Sequence, residues 1–276
     1  MTITAKTRIT GLIGWPVEHS LSPFMHNAGF QHLGIDYCYL TFAVHPDNLG
    51  KAIDGVRAMN FCGVNVTVPH KEKVMAFLDD INEEARFIGA VNTIVNKDDK
   101  LIGYNTDGRG FIKSLEEADI HIAGKRVFIV GAGGASRAIS YYLAQQVAEL
   151  FIFDIDTNKL SVLINDLRRV SPQVYMAEGI EQVRGVDLVI NATPLGLKPN
   201  DPLPIDITLL NEKQAVYDLV YKTTNLLTEA TYKGCKALNG IGMLFWQGVH
   251  AFEIWTQGAA PVEVMKSALL SAMNNR

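Results

Sequence analysis

Apolar positions along the chain follow two alternating rhythms. Short runs rich in β-branched and aromatic residues alternate with segments whose apolar residues recur at helical spacing. Arg8 to Gly14, Tyr37 to Val44 and Gly63 to Val68 predict strands, with helices over Pro23 to Leu33 and Asn48 to Met59 between them. A second series begins near Lys125. Arg126 to Val130 predicts a buried strand, followed by a helix to about Gln146 and a strand over Leu150 to Phe153. Leu160, Leu163, Ile164 and Leu167 then recur as one helical face, and Asp187 to Ala192 and Ala215 to Val220 predict two further strands. Strands alternating with helices imply βαβ units and mostly parallel sheets, an α/β fold class. Two such series predict two domains. The first is expected over residues 1–105 and completed by the terminal helices, residues 243–276; the second is expected over residues 106–242.

Composition narrows the class of partner. At 48% hydrophobic, the 276 residues carry enough apolar material for one large domain or two smaller ones, each with its own core. A net charge of -4 and the lack of a long basic run leave no electrostatic footprint for nucleic acid. A small-molecule partner is expected, on a monomer or a homodimer. Cys38, Cys62 and Cys235 are scattered and form no Cys-x-x-Cys, and no histidines fall at ligand spacing, so neither a disulfide framework nor a metal is expected. The first residues, Met1 to Lys6, carry no apolar run of the secretory kind, and no stretch approaches the roughly 18 apolar residues of a membrane helix. These features predict a cytoplasmic protein.

The candidate chemistry starts with glycines. Gly131-Ala132-Gly133-Gly134-Ala135-Ser136-Arg137 directly follows a strand and opens a helix. Glycines there permit a tight turn and a close approach of backbone to a pyrophosphate, which the helix N-terminus attracts. Gly131, Gly133, Gly134, Ala135 and Ser136 are therefore expected to hold a dinucleotide on a Rossmann-type domain. An acidic residue should follow about 20 positions later to bind the adenosine ribose, and Asp154 stands there, followed by Ile155 and Asp156. A carboxylate accepts hydrogen bonds from a ribose 2′-hydroxyl and repels a 2′-phosphate. With no arginine in Asp154 to Thr157, NAD is favoured over NADP.

Three polar clusters interrupt the first domain. In Ser20-Leu21-Ser22-Pro23, Ser22 has the form of a helix N-cap before a first-turn proline, which leaves Ser20 as the functional suggestion. In Asn65-Val66-Thr67-Val68-Pro69-His70-Lys71, Asn65 and Thr67 share one strand face, where a polyhydroxylated ligand could satisfy them; Lys71 follows at the expected start of a helix. Asn92 and Asp107 stand at the two ends of an expected hairpin.

These segments resemble, in order and over nearly the whole chain, the shikimate dehydrogenases and the related quinate/shikimate dehydrogenases. The resemblance is carried by Ser20 to Pro23, Asn65 to Glu72, Ala90 to Thr93, Asn105 to Gly108, Gly131 to Arg137, Asn191 to Gly196 and Gln247-Gly248. It implies reversible reduction of 3-dehydroshikimate to shikimate, in a cleft between a catalytic domain and a Rossmann-type domain, with quinate catabolism as the alternative. It also implies that Ser20, Ser22, Asn65, Thr67, Asn92, Asp107, Tyr221 and Gln247 hold the substrate, that Lys71 and Asp107 form the catalytic pair, and that Thr193 meets the cofactor. NADP is the commoner cofactor of the family. This chain departs from the usual Asn-Arg-Thr pattern with Asp154-Ile155-Asp156, as NAD-preferring members do, and lacks the usual proline after Tyr221-Lys222. Lys71 is expected to move the proton, with Asp107 orienting it, and His70 is expected to point elsewhere. A nucleotide-sensing protein without catalysis would have no need of either Lys71 or Asp107.

Overall fold

A computed structural model describes residues 2–274; Met1, Asn275 and Arg276, at the outer ends of the first expected domain, lie outside the described residues. The chain divides into two compact units. One runs through Thr106 and resumes at Gln247; the other is Asp107–Trp246.

The first unit is built on a six-stranded sheet in the order β2-β1-β3-β5-β6-β4. Its strands are β1 (Arg8–Gly14), β2 (Tyr37–Ala43), β3 (Gly63–Val66), β4 (Asp80–Ile81), β5 (Thr93–Lys97) and β6 (Lys100–Tyr104). Strands β1, β2 and β3 run parallel, whereas β5 lies antiparallel to both β3 and β6. Helix α1 (Ser22–His32) links β1 to β2, α2 (Leu49–Ala58) links β2 to β3, and α3 (Glu83–Ile88) lies between β4 and β5. The apolar stripe Leu49, Ile53 and Val56 of α2 packs with Ile13, Val64, Val66 and Ile94 of the sheet. Helix α9 (Val262–Asn274) packs along α1.

Three local expectations are corrected here. Strand β3 ends at Val66, because the Thr67 N–H donates to Ile13 O (2.9 Å) and the Thr67 carbonyl then accepts from His70 N–H (2.9 Å), turning the chain. No α-helix starts at Lys71. A 3-10 turn over Lys73–Phe77 follows instead, since the Lys71 carbonyl is held by Val91 N–H (2.8 Å) and the buried His70 ring bonds Val44 O (2.7 Å). Ser22 is not an N-cap either. Leu21 occupies that position without a side-chain cap, and it is Ser20 Oγ that accepts the Ser22 N–H (3.2 Å).

His26, on α1, is fully buried against Tyr39 (ring centroids 4.4 Å, planes 10° apart), and neither of its ring nitrogens has a hydrogen-bond partner among the described residues. Burial alone pushes its pKa from 6.5 down to about 3. The folded protein therefore holds this ring neutral, while the unfolded chain takes up a proton below pH 6.5. Its contribution to stability is complete above that pH and falls as the pH drops toward 3. At about 1.36 kcal/mol per pH unit, about 2 kcal/mol should be lost between pH 6.5 and about pH 5. Denaturant titrations across that range should show a shallower pH dependence for His26→Phe; an unchanged slope would refute this source of acid sensitivity.

The second unit carries six strands, all parallel, in the order β12-β11-β10-β7-β8-β9. They are β7 (Arg126–Val130), β8 (Glu149–Phe153), β9 (Val174–Met176), β10 (Leu188–Asn191), β11 (Ala215–Asp218) and β12 (Lys236–Asn239). The chain builds outward from β7 to β9, then returns to the other side of β7 with β10. This is the doubly wound Rossmann order, with its switch point between β7 and β10, where such sheets bind ligands. Helices α4 (Asp107–Glu117), α5 (Gly134–Leu143), α6 (Thr157–Arg168) and α7 (Asn225–Tyr232) belong to this unit. The division falls within α8 (Ile241–Thr256), between Trp246 and Gln247. Among the described residues no helix is long and apolar enough to cross a membrane, and no group of side chains could hold a metal ion. All three cysteines are free and buried.

Candidate functional site

In the first unit, register brings the polar residues to one edge of the sheet. Asn65, near the end of β3, pairs with Thr93, where the antiparallel β5 begins, and Thr93 pairs with Tyr104, where β6 ends. Asn65, Thr67, Asn92, Asn105 and Thr106 thus gather at the carboxyl ends of β1 and β3, the edge at which parallel strands present ligands. A continuous hydrogen-bond network joins Asn65, Asn92 and Thr106 through Thr93. Asn65 Nδ2 donates to Thr93 Oγ1 (3.0 Å) and to Asn92 O (3.2 Å). Thr93 Oγ1 donates to Asn92 Oδ1 (2.9 Å), which also accepts from Thr106 N (2.8 Å). Asn92 Nδ2 donates to Thr106 Oγ1 (3.0 Å) and reaches Gln247 Oε1 at 3.5 Å. Trp255 Nε1 donates to Ile94 O (2.9 Å), fixing α8 against this edge.

Asn65 is therefore not awaiting a ligand to satisfy its amide, as the strand pattern suggested, and the amide of Asn92 is bonded likewise. The protein satisfies most of their bonding capacity and orients what remains. Ser22 is buried; Ser20 and Thr67 are half-buried. Lys71, half-buried, lies in the turn that leaves this edge. Buried His70 is committed to Val44 O, so a bent, pinned turn rather than a helix directs it away.

In the second unit, the glycine loop lies at the switch point. Gly131 adopts φ +109°, and a Cβ there would lie 2.9 Å from Ala192 O, so a side chain is excluded by both backbone and space. Gly133 caps α5 without a side-chain bond, and a Cβ on it would meet nothing within 4 Å. Gly133, Gly134 and Ala135 are exposed, and the first turn of α5 leaves its N–H donors for an anion. The Ser136 Oγ is fully buried and has no hydrogen-bond partner among the described residues. These residues fit a pyrophosphate.

Asp154 braces the same loop. Its Oδ2 accepts from Ala132 N (2.6 Å) and its Oδ1 from Asp156 N (2.7 Å), leaving one lone pair on each oxygen for a ribose. Asp156 caps α6, accepting from Lys159 N (3.1 Å), and these N–H bonds hold its carboxyl below the usual range. Arg137 is paired with Asp166. Ile155 is 93% exposed.

Thr193, after β10, donates to Asn191 Oδ1 (2.6 Å). Asn191 in turn donates to buried Asp218 Oδ1 (3.0 Å), and Asp218 Oδ2 accepts from Thr224 Oγ1 (2.7 Å). Burial raises the Asp218 pKa against these bonds. This buried triad, unnoticed in the sequence because each member reads as a turn or strand-end residue, shapes the loops that carry Thr193 and the half-exposed Tyr221. Asp107 is the first residue of α4 and is buried.

Residues 12–94 match the family described as the shikimate dehydrogenase substrate binding domain, and residues 240–270 the shikimate 5'-dehydrogenase C-terminal domain. The shikimate dehydrogenase (NADP(+)) of Desulforamulus reducens is 46% identical, over 97% of this chain and 96% of that protein. The chain belongs to the shikimate dehydrogenase family. It is thus an oxidoreductase family member with an α/β fold, as its motifs implied. A crystal structure of a shikimate dehydrogenase in complex with NADP+ superposes with a TM-score of 0.93 at 42% identity, covering 98% of this chain and 97% of that one. The shikimate 5-dehydrogenase of Listeria monocytogenes, solved with shikimate and NAD, gives 0.89 at 39% identity, with 98% of each chain covered. Relatives of this family thus carry either dinucleotide.

Proposed function

We propose that the protein interconverts shikimate and 3-dehydroshikimate in aromatic amino-acid biosynthesis in the cytoplasm, with NAD preferred to NADP. The observation that carries the substrate reading is the hydrogen-bonded edge of the first unit. Hydroxyl and amide groups there are held in fixed orientations, which suits a small ring bearing several hydroxyls. We assign Ser20 and Ser22 to the carboxylate, and Asn65, Thr67, Asn92, Tyr221 and Gln247 to the remaining polar groups. Quinate is set aside, since the relatives quoted are shikimate dehydrogenases.

Bound at the glycine loop, a nicotinamide dinucleotide supplies or accepts the hydride. Lys71 then gives a proton to the oxygen on which negative charge grows during reduction, and takes it back during oxidation. We assign Asp107 as the second member of the catalytic pair. The cofactor preference follows from charge. Carboxylates at 154 and 156 repel a 2′-phosphate, residues 154–158 contain no cation, and the neighbouring Arg137 and Lys159 are paired with Asp166 and Asp156. The relatives named for NADP(+) make this the sharper part of the proposal.

Initial rates with shikimate and with quinate, each tested with NAD and with NADP, check both parts. Shikimate with NAD should give the highest kcat/KM, at least about tenfold above shikimate with NADP. Faster quinate oxidation would overturn the substrate assignment, and dominant NADP use would overturn the reading of Asp154.

A further inference from the structure

We propose that Tyr39 is a positioning residue of the substrate site, whose hydroxyl fixes the side chain of Asn65 for recognition of the substrate. The inference rests on the shikimate reading above. Tyr39 lies on β2 and Asn65 on β3, with β1 between them. Thr10 pairs with Tyr39 and Leu12 with Asn65, so the two residues face the same side of the sheet. Two strand spacings separate them by roughly 10 Å, a gap that a phenol can span and a shorter side chain cannot.

Tyr39 is fully buried, and its hydroxyl donates to Asn65 Oδ1 at 2.8 Å. Both N–H groups of that amide are already committed to Asn92 O and Thr93 Oγ1. What Asn65 keeps for a substrate is the second lone pair of Oδ1, an acceptor for a substrate hydroxyl. The phenol therefore holds the one atom through which Asn65 can act. The His26 ring, stacked on Tyr39 at 4.4 Å, keeps the phenol from swinging away.

The test is Tyr39→Phe, which keeps the ring and its packing while deleting the oxygen, studied alone and together with Asn65→Ala. The KM for shikimate should rise about tenfold, as for the loss of one buried hydrogen bond, with kcat within about twofold and the dinucleotide KM unchanged. Because Tyr39 acts through Asn65, the double variant should bind shikimate no worse than Asn65→Ala alone. An unchanged shikimate KM, KM increases for both ligands together with a lowered Tm, or multiplicative losses in the double variant would each overturn the positioning role. A wild-type enzyme that fails to turn over shikimate would instead overturn the substrate assignment and this inference with it.

Discussion

Replacing Lys71 with methionine is expected to lower kcat about a thousandfold while changing the KM for shikimate only a few-fold. Methionine preserves the length and apolar stem of the side chain and removes the ammonium. The proton that the amine delivers is needed only as charge develops on the substrate oxygen, so its loss falls on the transition state and spares the ground state. General acid–base groups contribute about 10² to 10⁴ in rate, and a thousandfold corresponds to about 4 kcal/mol of barrier. The placement of Lys71 supports this role. The Lys71 carbonyl is tied to Val91 N–H at 2.8 Å, so its backbone is anchored beside the edge where Asn65 and Asn92 lie. Steady-state kinetics in both directions check the prediction, and a near-normal kcat would refute it.

The second large effect is expected at the glycine loop, and two glycines should separate its causes. Gly133→Val should weaken dinucleotide binding at least about a hundredfold with little change in Tm. A side chain there meets no protein atom within 4 Å, yet it projects from the cap of α5, where the pyrophosphate is expected to approach. Gly131→Val should lose both binding and stability. It forces a β-branched residue to φ +109° and a Cβ to 2.9 Å from Ala192 O, where backbone strain alone costs on the order of 1–3 kcal/mol. Calorimetric titration with the dinucleotide, paired with thermal melts, distinguishes the two. Normal affinity in Gly133→Val would place the pyrophosphate elsewhere.

The legible parts of this protein were those governed by short-range pattern. Strands Arg8–Gly14 and Arg126–Val130 declare themselves because each is an apolar run closed by glycine, and the glycine loop because its chemistry is contiguous. The edge strands Asp80–Ile81, Val174–Met176 and Lys236–Asn239 were missed, being too short or too mixed in polarity to carry a period. At the site, side chains could be named from the sequence but their supports could not. Tyr39 reads as one more aromatic in a strand, and only the register across β1 reveals that its hydroxyl meets Asn65. Asp218 likewise looks like a residue ending a strand, although burial and three hydrogen bonds make it the anchor of two loops. The cap expected at Ser22 failed because capping geometry depends on which backbone N–H lies within reach, and composition does not encode that. The helix expected at Lys71 failed for a related reason: long-range bonds to Val44 and Val91 outweighed local propensity.

In the proposed mechanism, binding and proton transfer rest on different groups, with Lys71 responsible for the second. Calorimetric titration of shikimate into Lys71→Met tests this division when set beside the kcat of the same preparation. Affinity within a few-fold of the wild-type value, with turnover reduced about a thousandfold, is the predicted result. Loss of binding in parallel with turnover, or binding and turnover both preserved, would contradict it.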